Sequence, residues 1–230
     1  MTLTRLPATG EASPRPRLLG LIALGVAAPF LLNGWLSARV AHDPLLYWSA
    51  EIAVWVVVPG VGLFLASRFC GLTLAQLRFR RQIRTFGHPA VLGLACAAFC
   101  GLLYTVYWVS YRTFSAMLPG GGVFHYEAAV PDSGALRVLV VAYFALTAGF
   151  VEEVLYRGVA LEASRSFRSP IAVYLMLSPP IFAIVHWESG AANVAAAYVV
   201  GLFTCLAYLA LRNIWPLIVA HTFTDYVWFS

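Results

Sequence analysis

The sequence predicts an all-α fold, a polytopic transmembrane helical bundle of about seven spans. Three observations predict it. Of 230 residues, 61% are hydrophobic and 11% charged, well below the charged share of a soluble domain, about 25%. Apolar runs near the bilayer-crossing length of about 20 residues recur along the whole chain. Charge is scarce inside those runs and gathers between them. The excess positive charge, +5, is carried by arginine, since the chain has no lysine. In so apolar a chain it reads as membrane topology rather than nucleic-acid binding, so no nucleic-acid partner is expected.

Residues 1–17 are polar and Pro-rich and read as a disordered cytoplasmic N-terminus. The run Leu18–Ala38 is too long for the apolar core of a signal peptide and lacks a clear cleavage site, so it is the first span. Residues 18–136 form an N-terminal membrane part with the spans Leu18–Ala38, Leu46–Ser67 and Pro89–Leu118. Between the last two, about 71–88, apolar residues recur at helical intervals among Arg78, Arg80, Arg81 and Arg84, as in an amphipathic helix on an anionic leaflet. Residues 137–230 hold the spans Arg137–Leu161, Pro170–Trp187, Ala191–Leu211 and Ile214–Phe229. Within the fifth, Ser178-Pro179-Pro180 is expected to break or kink the helix.

With seven spans, Arg5, Arg15, Arg17, Arg68, the 78–84 cluster, Arg165, Arg168 and Arg212 fall on one side, and Asp43, Glu127, Asp132 and Glu188 on the other. The positive-inside rule then gives a cytoplasmic N-terminus and an outside C-terminus, and the membrane expected is the inner (plasma) membrane. Cys70, Cys96, Cys100 and Cys205 show no metal-ligand spacing and read as small buried hydrophobes. Glu51, inside the second span, either lines a site or lies near the outer surface.

The stretch Phe150-Val151-Glu152-Glu153-Val154-Leu155-Tyr156-Arg157-Gly158 puts two carboxylates and a guanidinium inside lipid-like sequence. Ionisable groups at membrane depth are costly, and by default they face a functional interior. On a helix Glu153 and Arg157 are one turn apart and pair, while Glu152 points about 100° away, without a helical partner. Two more spans carry such groups: Phe182-Ala183-Ile184-Val185-His186 ends the fifth, and His221-Thr222-Phe223-Thr224-Asp225 lies in the seventh. Counting about 1.5 Å per residue from the flanking loops puts Glu152, His186, His221 and Asp225 at overlapping depths of roughly 14–24 Å. This predicts a core cavity built from the four C-terminal spans. A carboxylate beside a histidine can deprotonate water, and a second histidine can steady an oxyanion. Glu152, His186 and His221 are also acceptable zinc ligands, without the spacing of the helical zinc-protease motif. Proton-coupled transport uses the same residue types, but no internal repeat of the kind transporters carry is visible.

The motifs Glu-Glu-x-x-x-Arg (152–157), Phe-x-x-x-His (182–186) and His-x-x-x-Asp (221–225), in this order and each in its own span, resemble those of the CPBP family of intramembrane proteases, also called the Abi or CAAX-protease family. That family includes the type II CAAX prenyl endopeptidases. The resemblance covers about 137–229. It implies an eight-helix-like bundle and glutamate-dependent hydrolysis without a cofactor, zinc on Glu152, His186 and His221 being the alternative. By resemblance Glu152 and His186 activate water, Glu153 and Arg157 support them, His221 and Asp225 form the oxyanion hole, and Phe182 contacts substrate. The substrate implied is a membrane-anchored protein or peptide, prenylated or bearing a sorting signal. A non-catalytic immunity or binding protein of the same fold is the other reading. The prenyl-protein members carry Asn where this chain has Asp225, and an ionised Asp cannot donate to an oxyanion. Asp225 therefore either is protonated, orients His221, or serves otherwise.

Overall fold

The computed structural model describes residues 15–80, 88–119 and 121–230. All regular elements among them are helical. Seven principal helices follow in order: α1 Pro16–Val40, α2 Pro44–Cys70, α3 Pro89–Met117, α4 Gly134–Ser164, α5 Pro170–Ile184, α6 Ala191–Leu211 and α7 Trp215–Phe229. Short 3-10 turns over Tyr126–Ala129 and Trp187–Ser189 join them. The bounds fall within three residues of the predicted spans.

Proline sets most of the starts. Pro16, Pro44, Pro89 and Pro170 open α1, α2, α3 and α5, and Pro216 is the second residue of α7. At these positions the missing N–H would have had no helical partner. Asp43 caps α2, its carboxylate accepting from the N–H groups of Leu45 and Leu46 at 3.0 and 3.2 Å. α2 stops at Gly71, whose φ of 65° is left-handed, with the Gly71 N–H donating to the Ser67 carbonyl at 3.1 Å.

Five helices, α1, α2, α3, α4 and α6, are long and apolar enough to cross a membrane. Helices α5 and α7 have 15 residues each, about 22 Å, short of a hydrocarbon layer about 30 Å thick. Helix α7 carries His221 and Asp225, while of the other histidine motif Phe182 lies in α5 and His186 in the turn just past its end.

Three expectations are corrected. The break allowed for at Pro179-Pro180 is absent: helix α5 runs through both, packed on α6, where neighbouring helices shelter the carbonyls a proline leaves unpaired. No helix forms over 71–80, which is extended and turned, and residues 81–87 of the expected amphipathic helix lie outside the described residues. Arg78 leaves that face altogether. It is buried, with φ of 60°, and its guanidinium donates to the Tyr208 carbonyl at 2.7 Å while lying over the Tyr208 ring. Third, the cavity is not enclosed by the C-terminal helices alone, since α1, α2 and α3 contribute Asn33, Glu51 and Tyr107 to its wall.

Candidate active site

A close approach between α4 and α7 creates the site. A Cβ on Gly149 would stand 2.3 Å from the Thr222 hydroxyl and 2.7 Å from the Thr222 backbone nitrogen. Only glycine lets the two helices meet at this level. One turn on, Glu152 and Glu153 enter the bundle, and His221 reaches across beside Thr222. Directly after the two carboxylates, α4 loosens into a π-helical turn over Val154–Val159, a deviation frequent at functional sites.

Glu153 is wholly buried and doubly engaged. One oxygen lies 2.7 Å from His221 Nδ1 and the other 3.1 Å from Arg157 Nε. A carboxylate here accepts, so His221 Nδ1 carries a proton. Arg157, also wholly buried, donates from Nε to the Thr204 hydroxyl at 2.9 Å and again through Nη2. The Thr204 hydroxyl in turn donates to the Val200 carbonyl at 2.8 Å. The guanidinium lies 4.2 Å over the Phe182 ring. A buried ion pair holds only when such additional partners offset its desolvation. The predicted pairing of Glu153 with Arg157 is present, and Thr204, which carries no signal in sequence, completes it.

Glu152 is placed differently. It is 4% exposed, with Oε1 3.9 Å from His186 Nε2 and Oε2 3.5 Å from His221 Nε2. Neither distance is a good hydrogen bond. His186 Nδ1 lies 2.8 Å from the Phe182 carbonyl. A carbonyl only accepts, so Nδ1 holds the proton and Nε2 offers a lone pair on the side of Glu152. Asp225 Oδ2 stands 3.6 Å from His221 Nε2. Asp225 is therefore not the group that orients His221. Glu153 holds that position, at Nδ1.

Glu152, His186, His221 and Asp225 share one cavity of about 160 Å³, polar and roomy enough to hold water. Phe182, expected at the substrate, is 2% exposed. It borders the cavity but chiefly packs against His186, His221 and Tyr156, with ring centroids 4.9, 6.1 and 5.4 Å away. Arg157 does not line the cavity. Among the described residues no three His, Cys, Asp or Glu side chains are grouped as metal ligands. Sequence reasoning left Glu51 undecided and placed Glu188 in an outer loop, yet both are buried and face the same cavity. The lone acid within an apolar span was the available signal for Glu51.

Residues 134–227 match the family model described as type II CAAX prenyl endopeptidase Rce1-like. This part of the chain is Rce1-like. The match bears out the resemblance to the CPBP, or CAAX-protease, family. It begins at the first residue of α4 and ends within α7, taking in all three motifs and leaving α1, α2 and α3 outside. No curated protein and no solved structure matches the chain. The Rce1-like region is thus set in a chain with five helices long and apolar enough to cross a membrane, and the model it matches describes a peptidase family.

Proposed function

We propose that this protein is an intramembrane endopeptidase that hydrolyses a peptide bond of a membrane-anchored protein with water activated by Glu152. The observation that carries the reading is the buried Glu152 carboxylate, set beside two histidine Nε2 atoms and hydrogen-bonded to neither. Two acceptors that share one water sit about 4–4.5 Å apart, near the 3.9 Å between Glu152 Oε1 and His186 Nε2. A water there gives its hydrogens to both groups and presents its oxygen lone pairs to a carbonyl.

On attack the water oxygen bonds to the carbonyl carbon and its proton passes to Glu152. The charge that gathers on the carbonyl oxygen meets His221 Nε2, which donates when the ring is protonated. Glu153, bonded to Nδ1, holds the ring in place and supports that charge, the orienting part a carboxylate plays in hydrolytic triads. Asp225 in its protonated form is the second donor. Collapse of the intermediate breaks the C–N bond, and the proton held by Glu152 goes to the leaving amine. Arg157 and Thr204 fix Glu153 and touch no reacting atom.

The same reading places all seven helices in the inner (plasma) membrane, with the N-terminus cytoplasmic and the C-terminus outside, and takes prenylated or sorting-signal proteins as substrates. Purified protein incubated with a panel of membrane-anchored peptides tests it. Cleavage that is lost in Glu152→Ala while the variant stays folded and membrane-bound is the expected result. Undiminished cleavage by Glu152→Ala would remove the mechanism.

A further inference from the structure

The cavity has a second acidic pole that the hydrolytic groups do not use. It is built from Glu51 of α2, Glu188 of the turn after His186, Asn33 of α1 and Tyr126 of the following loop. Glu51, Glu188 and Asn33 are 2%, 4% and 3% exposed. One oxygen of each is buried without a hydrogen-bond partner among the described residues. Asn33 spends its amide on the Tyr126 hydroxyl. Burial first, then Glu188 and Glu51, hold the Tyr126 phenol's pKa well above its usual value, so both carboxylates act on one phenolic oxygen.

The position of Glu188 is built, not incidental. A Cβ on Gly34 would fall 2.1 Å from its Cβ, so α1 gives up a side chain to admit it. Its carbonyl accepts from the N–H groups of Val123 and Phe124 at 2.6 and 3.2 Å, which pins the turn from outside.

Two buried carboxylates with unpaired oxygens either hold protons or, when ionised, take a cationic partner, since an ionised group left unpaired in such surroundings is costly. No guanidinium or ammonium of the protein serves: among the described residues lining the cavity there is no arginine, its basic groups being the imidazoles of His125, His186 and His221, and the chain has no lysine. The wall also carries aromatic rings, among them Phe30 and Trp55, edge to face at 4.6 Å, and Phe144. Aromatic faces suit a cation carried on an apolar stem. A hydrated metal ion has no apolar stem to lay against such a wall.

We infer that Glu51 and Glu188 form a specificity pocket for a basic side chain, Lys or Arg, of the substrate segment whose neighbouring peptide bond is presented to Glu152. The inference rests on the peptidase reading for its substrate. Asn33 and Tyr126 complete the pocket's oxygen lining, and acidic side chains are excluded by charge.

The test uses full-length protein in detergent micelles and lipid-anchored fluorogenic peptides. These carry Arg, Lys, Gln or norleucine at one scanned position and are identical otherwise. Cleavage and fluorescence-anisotropy binding are measured for wild type, Glu51→Gln, Glu188→Gln and the double variant. At the responsive position wild type should favour Arg or Lys over norleucine by about tenfold or more. That ratio should fall several-fold in each single variant and to about one in the double. Should the double variant not fold, the single variants decide, and an unchanged ratio in both overturns the inference. So does wild-type binding indifferent to peptide charge at every position, or selectivity that follows added Ca2+ instead of the peptide. If no peptide is cleaved but charge-selective binding is present and lost in the variants, the pocket stands and the peptidase reading falls.

Discussion

Glu153 accepts the Nδ1 proton of His221 at 2.7 Å across the contact between α4 and α7. The same carboxylate pairs with Arg157 one helical turn further on. One side chain thereby ties the helix that carries Glu152 to the helix that carries His221 and Asp225. Glu153 and Glu152 are adjacent in sequence and opposite in circumstance. The first bonds His221 and pairs with Arg157, and the second has only the space between two imidazoles.

Glu152→Gln keeps the volume and removes the base. It should lower peptide cleavage by about 10²–10⁴-fold, the usual contribution of a positioned general base, with little change in thermal unfolding. Single-turnover cleavage by the purified variant, set beside its melting curve, checks this. A variant within threefold of wild type would assign the base elsewhere.

Glu153→Gln should be worse for the fold than Glu152→Gln. It leaves Arg157 buried with a neutral partner, and removing one member of a buried pair costs about 3–5 kcal/mol. Thr204→Val acts on the same cluster more gently, by loss of a hydrogen bond to a charged group, about 1.5–3 kcal/mol. Thr204→Ser should restore most of it. Chemical denaturation in micelles ranks the three. Equal stability of Glu153→Gln and wild type would contradict the part given to Glu153.

Asp225→Asn supplies a donor that does not depend on protonation. If protonated Asp225 donates to the oxyanion, wild-type turnover falls on the alkaline side as the carboxyl ionises, and the Asn variant lacks that fall. Asp225→Ala should be slow at every pH. The measurement is a kcat profile between about pH 5 and 9, and superimposable profiles for Asp225→Asn and wild type would show that Asp225 does not donate.

Strong chelation should leave cleavage intact if Glu152 activates water unaided. Activity removed by chelator and restored by zinc would transfer the chemistry to a metal on Glu152, His186 and His221. Assay after prolonged dialysis against chelator, with and without added zinc, separates the two.

Glu188 lies between α5 and α6, and burial pushes its carboxyl up to about 7, from about 4.3 in an unfolded chain. The folded protein therefore holds this proton more tightly. Its contribution to stability is complete below about pH 4 and is lost as the pH rises to 7 and beyond. Glu188→Gln cannot ionise, so its melting temperature should exceed that of wild type at pH 8 and converge with it at pH 5. Each kcal/mol relieved is worth about 2–4 °C in a chain of this size. A difference independent of pH would argue against ionisation of Glu188 as the cause.

The sequence by itself determined the helical class, the helix bounds to within a few residues and the acid–histidine constellation. The physical reason is that lipid leaves a charged residue no bland alternative. Charges at 152, 153, 157 and 225 and histidines at 186 and 221 are therefore legible wherever apolar runs surround them, and proline marks where helices can begin. Tertiary structure decided which carboxylate serves which histidine. Helical spacing offered Asp225 to His221 at one turn, yet the Gly149–Thr222 approach brings Glu153 to Nδ1 and leaves Asp225 at 3.6 Å from Nε2. It also decided that Arg78 is buried, that α5 survives two prolines, and that Thr204 completes the Arg157 cluster. Glu51 and Glu188 lie 137 positions apart in the numbering, and no periodicity links them. The packing of α1 against both α2 and the turn at 187–189 brings them to one cavity, and a contact between distant segments leaves no local pattern in the chain.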